Sequence, residues 1–117
     1  MASILIVDSH EATRDLYQRE LHRSFSVIAV ADAEAALQVL QTTDLVAVIV
    51  EPAGLDDSGW NLISTIYNLQ SHPPIRVILC SALDERRRGL ALGAAAYLVK
   101  PVLPATLLET VHRVLQG

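Results

Sequence analysis

Five short apolar runs recur along this chain of 117 residues, and they limit its fold more than any other feature. They occupy residues 4–7, 27–30, 45–50, 77–80 and 96–99. Each run has the length of a β-strand, and the runs nearest the middle of the chain are apolar without alternation. Such runs are typical of parallel strands that are covered on both faces of a sheet. The pattern therefore predicts a five-stranded parallel sheet.

Segments with helical spacing of apolar residues separate these runs and follow the last one. Side chains able to cap the first three helices are, in chain order, Asp8 or Ser9, Asp32 and Ser58. The fourth helix, predicted from about residue 84 to residue 92, is weak because Gly89 interrupts it. The last helix carries the clearest apolar stripe, which consists of Leu107, Leu108, Val111, Val114 and Leu115.

The order of elements is (βα)₅, and crossovers between parallel strands are right-handed, so the helices must cover both faces of the sheet. We therefore predict an α/β fold of the flavodoxin-like type, a doubly wound parallel sheet with strand order 2-1-3-4-5. Residues 1–117 should form a single domain, either as a complete protein or as a module of a longer one.

Composition and charge exclude several classes of function. The chain has 9 basic and 13 acidic side chains and a net charge of −4, which argues against nucleic acid as a direct partner. The single cysteine, Cys80, rules out an internal disulfide and suggests a core thiol in a reducing compartment. No signal peptide and no apolar stretch of roughly 20 residues is found, so we expect a soluble, cytoplasmic domain without a membrane segment.

Polar residues follow four of the five predicted strands. Asp8 and Ser9 follow the first, Glu51 the third, Ser81 the fourth and Lys100 the fifth. Ligands of open parallel sheets bind outside the carboxyl ends of the strands, where these residues should meet. A nucleophilic carboxylate, further acids for Mg²⁺, a hydroxyl and a lysine are what phosphoryl transfer to a carboxylate requires. A lone acid at a strand end is more often a cap or a solvated residue, so the argument rests on the set.

Four stretches carry a resemblance to a known family: ILIVDSH, LVAVIVEPAGLDDSG, VILCSA and YLVKP. Over essentially its whole length the chain resembles the receiver domains of two-component response regulators. The resemblance implies signal transduction through a protein partner or output domain, with a histidine kinase among the candidate partners. It also implies a cis bond between Lys100 and Pro101, and a switch pair formed by Ser81 and Tyr97. The alternative for Tyr97, which we favour slightly, is a half-buried aromatic that packs on the fourth helix.

The resemblance fails at two positions that the family uses for chemistry. Ser9 stands where the family has an acid that binds Mg²⁺, and Glu51 stands in place of the phosphorylated aspartate. Glutamate is longer by roughly 1.5 Å, and a misplacement of about 1 Å can slow a reaction on the order of 10²-fold. We therefore predict a degenerate receiver, or pseudo-receiver, that is neither phosphorylated nor an enzyme. Mg²⁺ would bind weakly if at all, with Asp8 and Glu51 as the only candidate ligands.

Two interpretations of Glu51 remain open: a built-in mimic of the phosphorylated state, or a counter-charge for Lys100 in a decayed site. The alternative function is a working phosphoacceptor with weak Mg²⁺ binding. A flavin- or nucleotide-binding domain is disfavoured because the loop DSHEAT has no glycine and two acids. A metal-dependent phosphatase is rejected because the first strand does not end in Asp-x-Asp.

The remaining candidates are surface features and isolated side chains. Arg86, Arg87 and Arg88 form either a solvated face or an interface for an acidic partner, and the face from the fourth to the fifth helix is a candidate homodimer contact. Trp60 either covers apolar surface or is exposed for a partner. Four dispersed histidines have no ligand spacing and predict no metal site: His10, His22, His72 and His112.

Overall fold

The computed structural model describes residues 1–69 and 73–117 of the chain, and His72 therefore lies outside the described residues. Within these ranges the strands are β1 (Ser3–Val7), β2 (Ser26–Val30), β3 (Ala47–Val50), β4 (Arg76–Ser81) and β5 (Ala96–Val99). The helices are α1 (Glu11–Leu21), α2 (Ala33–Thr42), α3 (Asp57–Asn68), α4 (Arg86–Ala91) and α5 (Pro104–Gln116). A turn of 3₁₀-helix, Ala53–Leu55, lies between β3 and α3.

The strands form one parallel sheet in the order β2-β1-β3-β4-β5, which confirms the predicted α/β flavodoxin-like fold. In the register of the sheet, Val7 lies between Val30 and Val50. The residues that follow β1 and β3 therefore start from neighbouring positions at the same edge. Strand β3 begins at Ala47, two residues later than the apolar run predicted.

Two apolar cores lie on opposite faces of the sheet. Leu5 and Val7 point into the core formed with α2 and α3. Ile4 and Ile6 point into the core formed with α1 and α5. This alternation places every strand residue of β1 except Ser3 in a fully buried position, which explains why the run is apolar throughout. Cys80 belongs to the second core and is 1% exposed, as expected of a core thiol.

The first helix begins differently from the prediction. Its N-cap is His10, whose Nδ1 accepts a hydrogen bond from the backbone N–H of Thr13 at 3.3 Å. Neither Asp8 nor Ser9 caps it, because the backbone of His10 is extended and the helix starts at Glu11. Asp32 does cap α2, accepting the N–H of Ala35 at 2.8 Å, as predicted.

Helices α3 and α4 also correct the prediction. Ser58 is not a cap but lies inside α3 and donates to the carbonyl of Leu55 at 2.5 Å. The N-cap position belongs to Asp56, which has the left-handed backbone angle φ 54° and makes no capping hydrogen bond. Helix α4 is shorter than expected, and Gly89 does not interrupt it.

Among the described residues, which omit 70–72, no helix has the length and apolar character needed to cross a membrane.

Candidate functional site

A cluster of buried polar side chains lies at the carboxyl ends of the strands. Asp8, Glu51 and Ser81 are 3%, 5% and 0% exposed, and they follow or end β1, β3 and β4. Lys100 follows β5 and reaches across the end of the sheet to both carboxylates. The structure thus brings together four of the five residues that the sequence analysis singled out, in a region where the rest of the sheet buries only apolar side chains.

Glu51 is surrounded by hydrogen-bond donors. Its Oε1 accepts from the N–H of Ala53 and from the hydroxyl of Ser81, each at 2.9 Å. Its Oε2 accepts from the N–H of Ala82 at 2.9 Å and lies 3.2 Å from Nζ of Lys100. Each carboxylate oxygen therefore has two donors, and the glutamate is held by groups from three different strand ends.

Lys100 forms the electrostatic centre of the cluster. Its Nζ lies 2.8 Å from Oδ2 of Asp8 and 3.2 Å from Oε2 of Glu51, and its side chain is 18% exposed. Burial lowers the pKa of Lys100, but the hydrogen bond and charge of Asp8 and the charge of Glu51 outweigh that effect, so the pKa lies above its ordinary value. The Lys100–Pro101 peptide bond is cis, as the resemblance implied.

Asp8 is fixed by its own loop as well as by Lys100. Its Oδ1 accepts the backbone N–H of His10 at 2.9 Å. Its backbone carbonyl accepts a hydrogen bond from the guanidinium of Arg14 in α1 at 2.8 Å. Since Oδ2 is paired with Nζ of Lys100, both oxygens of the Asp8 carboxylate are engaged by donors of the protein.

Within the described part of the chain the Ser9 side chain makes no hydrogen bond to the cluster, but it lies against the loop after β3. A Cβ atom added to Gly54 would fall 2.5 Å from the hydroxyl oxygen of Ser9 and 4.0 Å from Cγ of Glu51. A larger residue at position 54 would therefore require the Ser9 hydroxyl to turn away from the 3₁₀ turn.

Gly59, eight residues after Glu51, lies where α3 comes closest to the loop after β3. A Cβ atom there would lie 2.9 Å from both Cα and the carbonyl oxygen of Pro52. The first turn of α3 consequently packs directly on the backbone of the residue after Glu51. This contact supports the loop whose Ala53 N–H holds the Glu51 carboxylate.

The side chains that surround the cluster do not suit Mg²⁺. The ion prefers an octahedron of oxygen ligands and is usually held through one or two carboxylates that face it. Here the oxygens of Asp8 and Glu51 already accept hydrogen bonds or ion pairs from His10, from Lys100 and from the other donors around Glu51. In residues 1–69 and 73–117 no group of three His, Cys, Asp or Glu side chains is placed to hold a metal ion. Weak Mg²⁺ binding by Asp8 and Glu51 stays a prediction.

A chain of hydrogen bonds leads from Glu51 to Tyr97. The hydroxyl of Ser81 donates to Glu51 and accepts the N–H of Leu83 at 3.2 Å. The carbonyl of Leu83 in turn accepts from the hydroxyl of Tyr97 at 2.6 Å. That hydroxyl also accepts the N–H of Glu85 at 3.0 Å. The Ser81 and Tyr97 side chains are therefore joined through a single residue of the loop between β4 and α4.

Tyr97 also packs on α4. It is 7% exposed, more deeply buried than the half-buried position that the sequence suggested. A Cβ atom added to Gly89 would lie 2.7 Å from Cδ2 of Tyr97 and 2.6 Å from Cδ1 of Leu79. Gly89 therefore lets α4 rest directly on the sheet. A switching role for Ser81 and Tyr97 stays a prediction.

The other singled-out residues lie outside the cluster. Trp60 is 7% exposed and covers apolar surface, which settles a question that the sequence left open. Arg86, Arg87 and Arg88 are exposed along α4. His10, His22 and His112 are exposed, and within the described ranges none of them belongs to a group of three possible metal ligands. Cys80 is buried, and its Sγ lies 3.5 Å from the hydroxyl of Tyr17. Burial raises the pKa of the Cys80 thiol.

Sequence reasoning missed three contributors to the site. Two are the backbone N–H groups of Ala53 and Ala82, which have no residue-type signature because any residue except proline supplies one. The third is Arg14, six residues after Asp8. A basic residue in the first turn of the helix that follows an acidic strand end is the signal that would have found it.

These features define an α/β domain of the flavodoxin-like type, with an acidic pocket and a lysine at the carboxyl edge of its sheet. The family model of the response regulator receiver domain matches residues 4–112, and the chain belongs to that family. It is therefore a receiver domain of two-component signal transduction.

Relatives and solved structures agree with this assignment. The chain is 33% identical to the sensory/regulatory protein RpfC of Xanthomonas campestris over 113 residues, which is 92% of this chain and 16% of RpfC. It is 29% identical to the transcriptional regulatory protein HprR of Escherichia coli over 93% of this chain and 49% of HprR. The chain thus spans half or less of the length of these two curated relatives.

Among solved structures, the chain is similar to a receiver domain protein described as CheY-like from Methanospirillum hungatei. The TM-score is 0.89 and the identity 26%, and the match covers 99% of this chain and 94% of the other.

Proposed function

We propose that this domain is a pseudo-receiver that signals by protein–protein interaction, with Glu51 as a permanent substitute for a phosphoryl group. The observation that carries the proposal is the set of four donors around the Glu51 carboxylate. A hydroxyl, a lysine and backbone N–H groups are the donors that phosphoryl oxygens require. The extra methylene of glutamate moves the carboxylate outward to the donors.

The same contacts argue against chemistry at Glu51. A nucleophilic carboxylate must present a free oxygen to its phosphoryl donor, and attack requires reacting atoms about 3–3.5 Å apart in line. Both oxygens of Glu51 are instead engaged, and Ser9 offers Mg²⁺ a neutral hydroxyl in place of an acid. We therefore propose that the domain is not phosphorylated and has no catalytic activity.

Negative charge at Glu51 would act on the loop between β4 and α4. Ala82 and Ser81 both donate to the carboxylate, and Tyr97 bonds to the same loop at Leu83 and Glu85. The carboxylate thus favours one conformation of this loop, as a phosphoryl group would in a conventional receiver. The alternative, in which Glu51 only neutralises Lys100, does not require the donors from the loop.

Receiver domains interact with histidine kinases and with output domains in two-component systems. We propose that this one binds a protein partner or output domain through the face formed by α4, β5 and α5. That face exposes Arg86, Arg87 and Leu90, and a second copy of the chain is a candidate occupant. Nucleic acid and membrane are not proposed as partners, and a cytoplasmic location stays part of the proposal.

The test is an intact-mass spectrum after incubation with acetyl phosphate and Mg²⁺, with a conventional receiver as positive control. The matched variant carries Glu51→Asp together with Ser9→Asp and so restores both acids of the family pattern. We expect no phosphoryl adduct on the natural chain and an adduct on the double variant. A single adduct that maps to Glu51 or a neighbouring acid of the natural chain would overturn the proposal.

A second measurement addresses the mimic itself. Sedimentation of the natural chain and of the Glu51→Gln variant would compare their self-association through the α4–β5–α5 face. If the natural chain dimerises, the mimic interpretation requires Glu51→Gln to weaken the dimer. Equal dimer affinities would favour Glu51 as a simple counter-charge for Lys100.

A further inference from the structure

Helix α4 has little apolar attachment to the rest of the domain. It contains six residues, and the only one that is buried, Gly89, has no side chain. Leu90 is 47% exposed, and Arg86 and Arg87 face solvent. Since hydrophobic stabilisation scales with the apolar area removed from water, burial alone holds this helix only weakly. Some other contact has to fix its orientation.

Arg88 supplies such a contact to the neighbouring helix α3. The central carbon of its guanidinium lies 4.0 Å from the centroid of the Trp60 ring. Its Nη1 also lies 3.6 Å from Oε1 of Glu85, one turn earlier. A planar guanidinium stacks on an indole face better than any other cationic side chain, through cation–π attraction and contact area.

The other contacts of this region hold different parts of it. The hydroxyl of Tyr97 bonds to Leu83 and Glu85, which precede α4, so these hydrogen bonds fix the loop, while the ring of Tyr97 only packs against the backbone of α4 at Gly89. Gly89 permits close approach to Leu79 and Tyr97 but adds no side-chain area of its own. Arg88 is the one α4 side chain in the described residues that is seen over an aromatic ring.

We propose that Arg88, seated on Trp60, is the positioning residue that fixes the orientation of α4 against α3. The exposed residues Arg86, Arg87 and Leu90 belong to the same short helix, so they turn with it. Arg88 therefore determines how α4 presents them to a partner, a consequence that rests on the proposed function.

Trp60 makes the proposal measurable because it is the only tryptophan in the chain. In the Arg88→Ala variant, the indole loses its cover. We expect its emission to shift to longer wavelength and acrylamide quenching to increase. Hydrogen exchange of peptides that cover residues 82–92 should accelerate about two- to fivefold, the range expected from losing a partly exposed cation–π contact. Exchange in β1 and α5 should stay unchanged.

Two matched variants separate the stacking from the charges. Arg86→Ala removes an exposed arginine that is 4.0 Å from Asp84 and touches no tryptophan, so it should leave both readouts unchanged. Glu85→Gln removes only the ion pair with Arg88 and should leave most of the stacking. The proposal is overturned if Arg88→Ala behaves like the natural chain, or if Glu85→Gln reproduces its whole effect. Neither readout involves phosphorylation or a partner, so the result is independent of the role of Glu51.

Discussion

Replacing Glu51 with glutamine removes the negative charge but keeps the length and shape of the side chain. A glutamine has one carbonyl oxygen, so it can accept hydrogen bonds at only one of the two positions that the carboxylate occupies. The better arrangement places this oxygen near Lys100 and Ala82. The amide NH₂ then faces the N–H of Ala53 and the hydroxyl of Ser81.

The energetic cost follows from these partners. The Ser81 hydroxyl can turn and accept from the amide, but the Ala53 N–H cannot, so a backbone donor loses its acceptor. A hydrogen bond to a charged group contributes about 1.5–3 kcal/mol. Lys100 also loses one of two carboxylates but keeps Asp8 at 2.8 Å. Together these losses should lower the free energy of unfolding by about 3 kcal/mol.

Urea unfolding followed by Trp60 fluorescence measures this loss. For m-values of about 1–3 kcal/mol per molar urea, the midpoint should fall by roughly 1–3 M. Glu109→Gln is the control, since Glu109 is exposed on α5 and its substitution should leave the midpoint unchanged. The reasoning fails if Glu51→Gln unfolds within about 0.3 M of the natural chain, a difference comparable to the error of such fits.

Three further predictions concern Lys100 and Asp56. Lys100→Met leaves two buried carboxylates facing each other, so urea unfolding should show a loss of about 3–5 kcal/mol, and an unchanged midpoint would contradict the ion-pair geometry. Because the folded-state pKa of Lys100 is raised, its stabilisation is present below about pH 10.4 and is lost as the pH rises through the folded value. The midpoint of the natural chain should therefore approach that of Lys100→Met at high pH, and a constant gap would refute this. Asp56→Gly should stabilise by about 1 kcal/mol, because φ 54° and ψ −147° suit only glycine, and a lower urea midpoint would count against strain there.

The sequence by itself determined the topology and the place of the pocket. Uninterrupted apolar runs can be satisfied only by strands that are covered on both faces, and right-handed crossovers then leave one natural strand order. Asp8, Glu51, Ser81 and Lys100 had to meet, since parallel strands bring their carboxyl ends to one edge. Those inferences depend on periodicity and chain direction, which residue types encode directly.

Only the tertiary structure decided which groups donate hydrogen bonds to the pocket carboxylates and which contact holds α4. The donors at Ala53 and Ala82 are backbone groups, and their direction depends on loop conformations that residue identity does not specify. The caps at His10 and Asp56 differ from the predicted ones for the same reason. Arg88 and Trp60 are far apart in sequence and meet only because α3 and α4 are neighbours. No local pattern in the sequence could therefore predict their contact.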